Sequence, residues 1–207
     1  MPHRYVVLVP IKAGSQPKSR LDAGNLRTQA MQAFARDAIA AAQACDLVSE
    51  VLVISARAQQ LGENGWLPDA GSGLNAALEK AAGEVSRTHQ DRGIVAMLGD
   101  LPCLTTADLS AVLRFGLSQQ RWFVADHHGT GTTMLGVAPG QLLLPRFGEN
   151  SAHEHQASGA TACELEVISA RIDIDTRSDL DIALAHGVGV HTRNAFGAGQ
   201  LSPTSPK

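Results

Sequence analysis

The sequence predicts a single α/β domain with a mostly parallel sheet and helices on both of its faces. Short β-branched apolar runs alternate with longer stretches in which apolar residues recur every three or four positions. The chain has 207 residues, 44% of them hydrophobic, which is enough for one substantial core. Only eight residues are aromatic (two Trp, one Tyr and five Phe), so Val, Leu, Ile and Ala must fill that core.

The amino-terminal part begins with a strand. An apolar run from Tyr5 to Val9 predicts this first strand, and Pro10 ends it. A polar loop over 12–25 follows. Apolar residues at helical spacing then predict an amphipathic helix, namely Leu26, Ala30, Phe34, Ala38, Ala41 and Cys45. The run from Glu50 to Ile54 predicts the second strand, and a short helix is predicted over 56–61.

The middle of the chain repeats this alternation. A second helical face is formed by Leu74, Ala77, Leu78, Ala81 and Val85. The run from Ile94 to Leu98 predicts a strand, after which Thr105 or Thr106 can cap a further helix. Strands are predicted again over 122–125 and 133–137.

The order of elements also fixes where a ligand should lie. Strands joined through helices predict right-handed crossovers, and ligands of such sheets bind outside the carboxyl ends of the strands. We expect this domain to span 1–187. Residues 188–207 are rich in Gly, Pro, Ser and Thr, which predicts a flexible carboxyl-terminal segment.

Bulk properties exclude several classes of function. A net charge of -3 gives no overall positive field for nucleic acid or an anionic membrane surface. The sequence has no signal-peptide pattern and no run of roughly 18 apolar residues. Cys45, Cys103 and Cys163 lack C-x-x-C spacing, which argues against a disulfide framework or a cysteine zinc site. We therefore expect a cytoplasmic protein without nucleic-acid or membrane partners.

Acidic residues at two predicted strand ends are candidate metal ligands. Asp100 follows an apolar strand, where a hard oxygen ligand for Mg²⁺ or a simple turn residue would lie. Asp173 and Asp175 are two apart on a predicted strand and would point to one face. Asp175 or Thr176 can instead cap the helix that begins near Ser178, so Asp173 ranks above Asp175 as a ligand.

A basic loop follows the first strand. Lys12, Lys18 and Arg20 lie within nine positions, and the whole chain has only four lysines. Such a loop can hold a triphosphate, because the Arg guanidinium forms two parallel hydrogen bonds to a phosphate and Lys supplies a point charge. A solvated loop is the alternative. The spacing does not fit a Walker A motif.

Two glycine-containing segments, Gly129 to Thr133 and Gly148 to Ser151, offer closely spaced backbone N–H groups. They resemble anion-binding loops, with plain turns as the alternative. Four histidines lie near these segments: His127, His128, His153 and His155. Histidines that are adjacent or two apart do not share a helical face, so we favour a solvated loop or donation to a phosphate over zinc binding.

These motifs together resemble one family, the 2-phospho-L-lactate or phosphoenolpyruvate guanylyltransferases of coenzyme F(420) biosynthesis. The resemblance spans about Val6 to Gly187. The segments that carry it are, in chain order, Val9-Pro10-Ile11-Lys12, Lys18-Ser19-Arg20-Leu21, Leu98-Gly99-Asp100-Leu101-Pro102, Ala125-Asp126, Gly129-Thr130-Gly131-Thr132, Arg146-Phe147-Gly148 and Asp173-Ile174-Asp175-Thr176. The Gly-Thr-Gly-Thr and Arg-Phe-Gly segments are the most specific of them.

The resemblance implies a Rossmann-like nucleotidyltransferase fold of the glycosyltransferase-A type, GTP as substrate and Mg²⁺ as cofactor. The implied metal ligands are Asp100, Asp173 and Asp175, and the implied catalytic residues are Lys12, Lys18, Arg20 and Asp100. The implied nucleotide-binding residues are Pro10, Lys12, Lys18, Arg20, Leu74, Asn75 and Gly99. Thr132, Gly148 and Ser151 would bind the phosphate and carboxylate of the acceptor.

The sequence departs from the family pattern in three places. His127 follows Asp126 where a basic residue is frequent, and the run from Glu149 to His153 replaces common Pro and Arg residues. Arg177 stands where Pro is usual, a position at which Pro only begins a helix. These departures affect the acceptor assignment more than the metal assignment.

The resemblance implies in-line attack of an acceptor phosphate oxygen on the α-phosphorus of GTP. An Ala-, Arg- and Gly-rich composition suggests a high-GC bacterium, and bacterial members of the family favour phosphoenolpyruvate. Phosphoenolpyruvate is therefore the expected acceptor, and 2-phospho-L-lactate and 3-phosphoglycerate stay open as alternatives.

The rival interpretations are a molybdenum-cofactor or sugar nucleotidyltransferase and a non-catalytic nucleotide-binding module. Ala-rich faces permit a homodimer, and hand-over of the product to the next pathway enzyme is a further expectation.

Overall fold

A sheet of seven strands runs through the computed structural model, which describes residues 3–11, 23–57, 64–69 and 71–200. In this part of the chain the strands are β1 (Tyr5–Pro10), β2 (Val48–Ser55), β3 (Gly65–Pro68), β4 (Gly93–Met97), β5 (Arg121–Ala125), β6 (Thr132–Val137) and β7 (Thr161–Ala162). The α-helices are α1 (Ala23–Gln43), α2 (Leu74–Thr88), α3 (Thr106–Gly116), α4 (Ser151–Ala157), α5 (Arg177–His186) and α6 (Val190–Gln200). A short 3-10 helix spans Ile168–Ala170.

The strand order is β3-β2-β1-β4-β6-β5-β7. All neighbours pair in parallel except β6, which is antiparallel to both β4 and β5. Thr132, the first residue of β6, therefore pairs with Ala125 at the carboxyl end of β5. The start of β6 thus lies at the same edge of the sheet as the carboxyl ends of the parallel strands, which is where a ligand is expected.

Helices cover both faces of the sheet, as the sequence predicts. Successive strand residues point to opposite faces. In β1, Val7 and Val9 pack in a core with α1 and α3, whereas Val6 and Leu8 pack in a second core with α2 and Ala152 of α4. The side chains of both cores are mainly aliphatic, as the low aromatic content requires.

Two local predictions differ from the structure. The strand β3 was not predicted, because only four residues bounded by Gly65 and Pro68 form it, next to β2 at the edge of the sheet. The strand predicted around Asp173 and Asp175 is wrong. This segment is irregular, and the Ile174 N–H donates to the Asp100 carbonyl at 3.2 Å instead of joining a strand ladder. The helix predicted over 56–61 falls mostly outside the described residues.

The flexible segment predicted from residue 188 is corrected for residues 190–200, which form α6. The cause is a distant partner. The buried Asp37 of α1 accepts hydrogen bonds from the backbone N–H groups of His191 and Thr192, both at 2.9 Å, and so caps α6. Phe34 stacks on Phe196 with ring centroids 6.1 Å apart. Within the described residues every helix is too short or too polar to serve as a transmembrane span.

Candidate active site

The candidate site lies where the carboxyl ends of β1 and β4 meet. Pro10 ends β1, and Gly99 follows β4 after one residue. A Cβ atom on Gly99 would lie 3.5 Å from Val9 Cγ1 and 3.6 Å from the Pro10 carbonyl oxygen. Pro10 and Gly99, two of the positions that the resemblance assigns to nucleotide binding, are therefore adjacent.

The structure brings the segments of Asp100 and Asp173 together. The hydrogen bond from the Ile174 N–H to the Asp100 carbonyl joins them at 3.2 Å. Asp173 is 8% exposed, and one carboxylate oxygen of Asp100 is buried. Asp175 is exposed. Two separate parts of the chain, each with an acidic residue, thus meet through their backbones at one end of the sheet, and the convergence of the two carboxylates on one cation stays a prediction.

Asp173 carries an unfavourable negative charge in this setting. Its pKa is raised from 3.8 to about 6, mainly by burial and further by the neighbouring Asp126 and Asp175, while His127 opposes the shift. A buried carboxylate beside other carboxylates is stabilised by a cation. Carboxylate oxygens are the ligands that Mg²⁺ and similar hard cations prefer, so these donors fit a divalent metal ion.

The start of α5 is fixed by a capping box. Thr176 is the N-cap, and its hydroxyl accepts from the Asp179 N–H at 3.2 Å, while Asp179 Oδ2 accepts from the Thr176 N–H at 2.7 Å. Asp179 Oδ2 also lies 3.2 Å from the donating Asp175 N–H. Of the two caps that the sequence allows, Thr176 is therefore the one used, and Asp175 is not the cap.

A pair of histidines follows β5 in a turn. His127 Nε2 lies 3.2 Å from Asp179 Oδ1, and His127 Nδ1 lies 3.6 Å from Asp173 Oδ1. His128 Nε2 lies 3.4 Å from the same Asp179 oxygen. The predicted solvated loop is thus wrong for His127, whose side chain is only 16% exposed.

The prediction for the histidines assumed helical geometry, which does not hold for His127 and His128. In the turn the two rings lie with centroids 3.8 Å apart and reach one carboxylate. Asp179 was not predicted as part of the site. Asp179 is the third residue of the helix that begins at Arg177, and from the sequence this position indicates only a capping residue.

Thr132, which the resemblance assigns to acceptor binding, contacts a buried histidine. Thr132 Oγ1 lies 2.9 Å from His155 Nδ1, and His155 Nε2 accepts from the Arg146 N–H at 2.9 Å. Burial lowers the pKa of His155 from 6.5 to about 4, and the nearby Arg121 and Arg146 add to this effect. His155 is therefore neutral near pH 7. The expected solvated location is wrong for His155, whereas His153 is exposed.

The Arg-Phe-Gly segment and the Gly-Thr-Gly-Thr turn are joined through the start of α4. The Ala152 N–H donates to the Thr130 carbonyl at 3.0 Å, and the Ser151 N–H donates to the Gly148 carbonyl at 3.2 Å. Gly148 has φ of 140°, which favours glycine at this position. The three residues implied in acceptor binding, Thr132, Gly148 and Ser151, thus belong to two connected segments.

Asn75 links α2 to the Arg-Phe-Gly segment. Its side-chain NH₂ donates to the Phe147 carbonyl at 3.0 Å, and its side-chain oxygen accepts from the Phe147 N–H at 2.9 Å. Leu74, the first residue of α2, is partly buried and packs against the core on that face. Lys12, Lys18 and Arg20 lie outside the described residues, so their phosphate contacts stay predictions.

Known proteins resemble this chain over nearly its whole length. Residues 5–198 match the protein family described as guanylyl transferase CofC like. A phosphoenolpyruvate guanylyltransferase of Streptomyces coelicolor is 42% identical over 200 residues, which cover 91% of this chain and 94% of that protein. The protein of the same name from Streptomyces avermitilis is 41% identical over 202 residues, with 93% and 94% covered.

Solved structures agree with the fold. A 4-diphosphocytidyl-2C-methyl-D-erythritol synthase superposes with a TM-score of 0.57 at 12% identity and covers 88% of this chain and 97% of that one. A cytidylyltransferase from Leptospira borgpetersenii superposes with a TM-score of 0.53 at 13% identity, with 86% and 84% covered. The predicted Rossmann-like nucleotidyltransferase fold is therefore confirmed.

Proposed function

Because this chain belongs to the family of CofC-like guanylyl transferases, we propose that it transfers GMP from GTP to phosphoenolpyruvate. The products would be enolpyruvyl-2-diphospho-5'-guanosine and diphosphate, within coenzyme F(420) biosynthesis. The structural observation that supports this proposal is the meeting of the Asp100 and Asp173 segments beside Gly99. The names of the curated relatives support phosphoenolpyruvate as the acceptor.

Asp100 and Asp173 would hold Mg²⁺, with Asp175 as a further candidate at the exposed side. A bound Mg²⁺ would neutralise charge on the phosphates of GTP and on the leaving diphosphate. The raised pKa of Asp173 supports this role, because the buried carboxylate is stabilised when a cation is beside it.

The remaining residues would position the two substrates. Pro10 and Gly99 would line the nucleotide side, and Lys12, Lys18 and Arg20 would contact the triphosphate. Thr132, Gly148 and Ser151 would hold the acceptor. A phosphate monoester is already anionic near neutral pH, so positioning and charge neutralisation are expected to supply most of the rate acceleration.

The proposal also covers the identity of the acceptor, the location of the protein in the cell and its partners. The same site chemistry would serve 2-phospho-L-lactate or 3-phosphoglycerate, which share the phosphate and carboxylate of phosphoenolpyruvate. A cytoplasmic location, a homodimer and hand-over of the product to the next enzyme are parts of the same proposal.

The test is a product assay. The purified protein is incubated with GTP, Mg²⁺ and each of the three acceptors separately, and products are identified by mass spectrometry together with diphosphate release. We expect the guanylylated product with phosphoenolpyruvate. Binding of GTP without diphosphate release for any acceptor would favour a non-catalytic nucleotide-binding module.

The matched variants are Asp100→Ala and Asp91→Ala, the latter at an exposed carboxylate whose side chain is 79% accessible. Asp100→Ala should abolish turnover with an unchanged far-UV circular dichroism spectrum, and Asp91→Ala should leave turnover unchanged. Retained turnover in Asp100→Ala would refute the metal role of this residue.

A further inference from the structure

His127, His128 and Asp179 form a compact group of ligand-type atoms. One such atom from each residue lies within 4.8 Å of the others. The two Nε2 atoms lie 3.2 Å and 3.4 Å from Asp179 Oδ1. Around a tetrahedral ion with bonds of about 2.0–2.1 Å, neighbouring ligand atoms are separated by roughly 3.3 Å. The two imidazole-to-carboxylate distances therefore suit a single small cation.

Asp179 presents one oxygen to the histidines because its other oxygen is already engaged. Oδ2 accepts from the N–H groups of Asp175 and Thr176 and contacts the Thr176 hydroxyl at 2.8 Å. Oδ1 is the oxygen that faces both imidazoles. The capping box of α5 thus holds this carboxylate in place independently of any ion, which is the preorganisation that a metal site needs.

His127 is the buried member of the group. Both of its ring nitrogens are buried, and neither makes a hydrogen bond of acceptable geometry. Nε2 lies 3.2 Å from a carboxylate oxygen of Asp179, and a metal ion bound to Nε2 would give this buried nitrogen a bonded partner. Nδ1 lies 3.6 Å from Asp173 Oδ1. Metal-bound histidines generally have a carboxylate or carbonyl near the nitrogen that does not bind the metal.

We propose that His127, His128 and Asp179 bind a transition-metal cation of the zinc class. Two imidazoles and one carboxylate suit Zn²⁺ or Co²⁺, whereas Mg²⁺ takes oxygen ligands. The ligands of this site differ from the carboxylates proposed for Mg²⁺, and the two sites are neighbours, because His127 Nδ1 lies 3.6 Å from Asp173 Oδ1. His128 is 62% exposed, so the fourth position would face water. The proposal does not depend on the guanylyl transfer chemistry.

The experiment uses Co²⁺ as a spectroscopic probe, because four-coordinate Co²⁺ with imidazole ligands absorbs strongly in the visible range. The protein is saturated with Mg²⁺ and titrated with Co²⁺, and Zn²⁺ is then added to displace the signal. We expect one Co²⁺ per chain in a four-coordinate site. No visible Co²⁺ spectrum in the Mg²⁺-saturated protein would overturn the proposal.

Variants separate this site from its neighbours. His128→Ala should weaken Co²⁺ binding by at least about tenfold, because it removes a direct ligand. His153→Ala, at a histidine 78% exposed on α4, is the matched control and should leave binding unchanged. Asp100→Ala should also leave it unchanged. Equal affinity in His128→Ala, or loss of the signal in Asp100→Ala, would contradict the assignment.

Discussion

His155 Nδ1 and Thr132 Oγ1 lie 2.9 Å apart, and both side chains are buried. The Arg146 N–H donates to His155 Nε2, so the proton of the neutral imidazole is on Nδ1 and is donated to Thr132. The hydroxyl hydrogen of Thr132 is then directed away from the imidazole. It is available to an anionic oxygen of the acceptor in the proposed reaction.

We predict that His155→Gln raises the KM for the acceptor more than the KM for GTP. The Thr132 hydroxyl would lose its fixed orientation, and a hydrogen bond to a charged oxygen contributes about 1.5–3 kcal/mol, which corresponds to roughly tenfold or more. Steady-state kinetics with each substrate varied in turn measure this difference. His153→Gln is the exposed control on the same helix. A larger change in the KM for GTP would contradict the role.

The same histidine should make stability depend on pH. Its pKa is lowered from 6.5 to about 4 in the folded protein, so between these values the unfolded chain binds more protons. Stability should therefore fall as pH decreases from about 6.5 to about 4, with a limiting slope of roughly 1.4 kcal/mol per pH unit.

Urea unfolding at several pH values checks this expectation. In His155→Gln the slope over this interval should be smaller than in the unmodified protein, even if the variant is less stable overall. In His153→Gln the slope should be unchanged. An identical slope in the His155 variant would contradict the prediction.

Asp173 and Asp175 should behave differently when each is changed to Asn. Asp173→Asn should lower turnover by about a hundredfold or more, since even indirect changes at metal sites cost 10- to 100-fold. Asp175→Asn, at an exposed position, should retain most turnover. Initial rates at varied Mg²⁺ concentration test this order. Equal losses in the two variants would show that Asp175 is also a ligand.

Asp173→Asn should also change the stability of the metal-free protein. Because the pKa of Asp173 is raised to about 6, ionisation of this buried carboxyl destabilises the fold as pH rises through that value. The variant lacks this charge, so its Tm at pH 8 without Mg²⁺ should equal or exceed that of the unmodified protein. A lower Tm would indicate that another cation already compensates the charge.

Asn75→Ala should affect the acceptor rather than the nucleotide. The variant loses both hydrogen bonds to the Phe147 backbone, which costs about 1–3 kcal/mol if the freed groups stay buried. The Arg-Phe-Gly segment would be less well held, so the KM for the acceptor should rise. Asn194→Ala, at an exposed position of α6, is the control. A rise confined to the KM for GTP would instead support a nucleoside contact.

The sequence predicted Asp100 at the ligand-binding edge because apolar runs mark strands and parallel strands end at one edge of the sheet. Asp173 reaches this edge through an irregular segment and not through the predicted strand, so the reason given for its position was wrong. Long-range contacts were not predictable in the same way. The direction of β6 depends on its two neighbours, and local pattern does not encode it. His155 acquires its role only because the Arg146 backbone folds back onto α4. His127 and His128 converge because they lie in a turn, whereas the prediction assumed helical geometry.

The bond between Asp37 and the start of α6 determines where the chain can be shortened. Asp37 accepts two backbone N–H groups from residues more than 150 positions away, and it is 6% exposed. A truncation after Gly187 would remove both donors and leave the buried carboxylate of Asp37, a residue of α1, without them. Helix α6 therefore helps to hold α1 in place. A proteolytic cut between α5 and α6 would weaken this attachment and loosen α1, which covers β1 and β2.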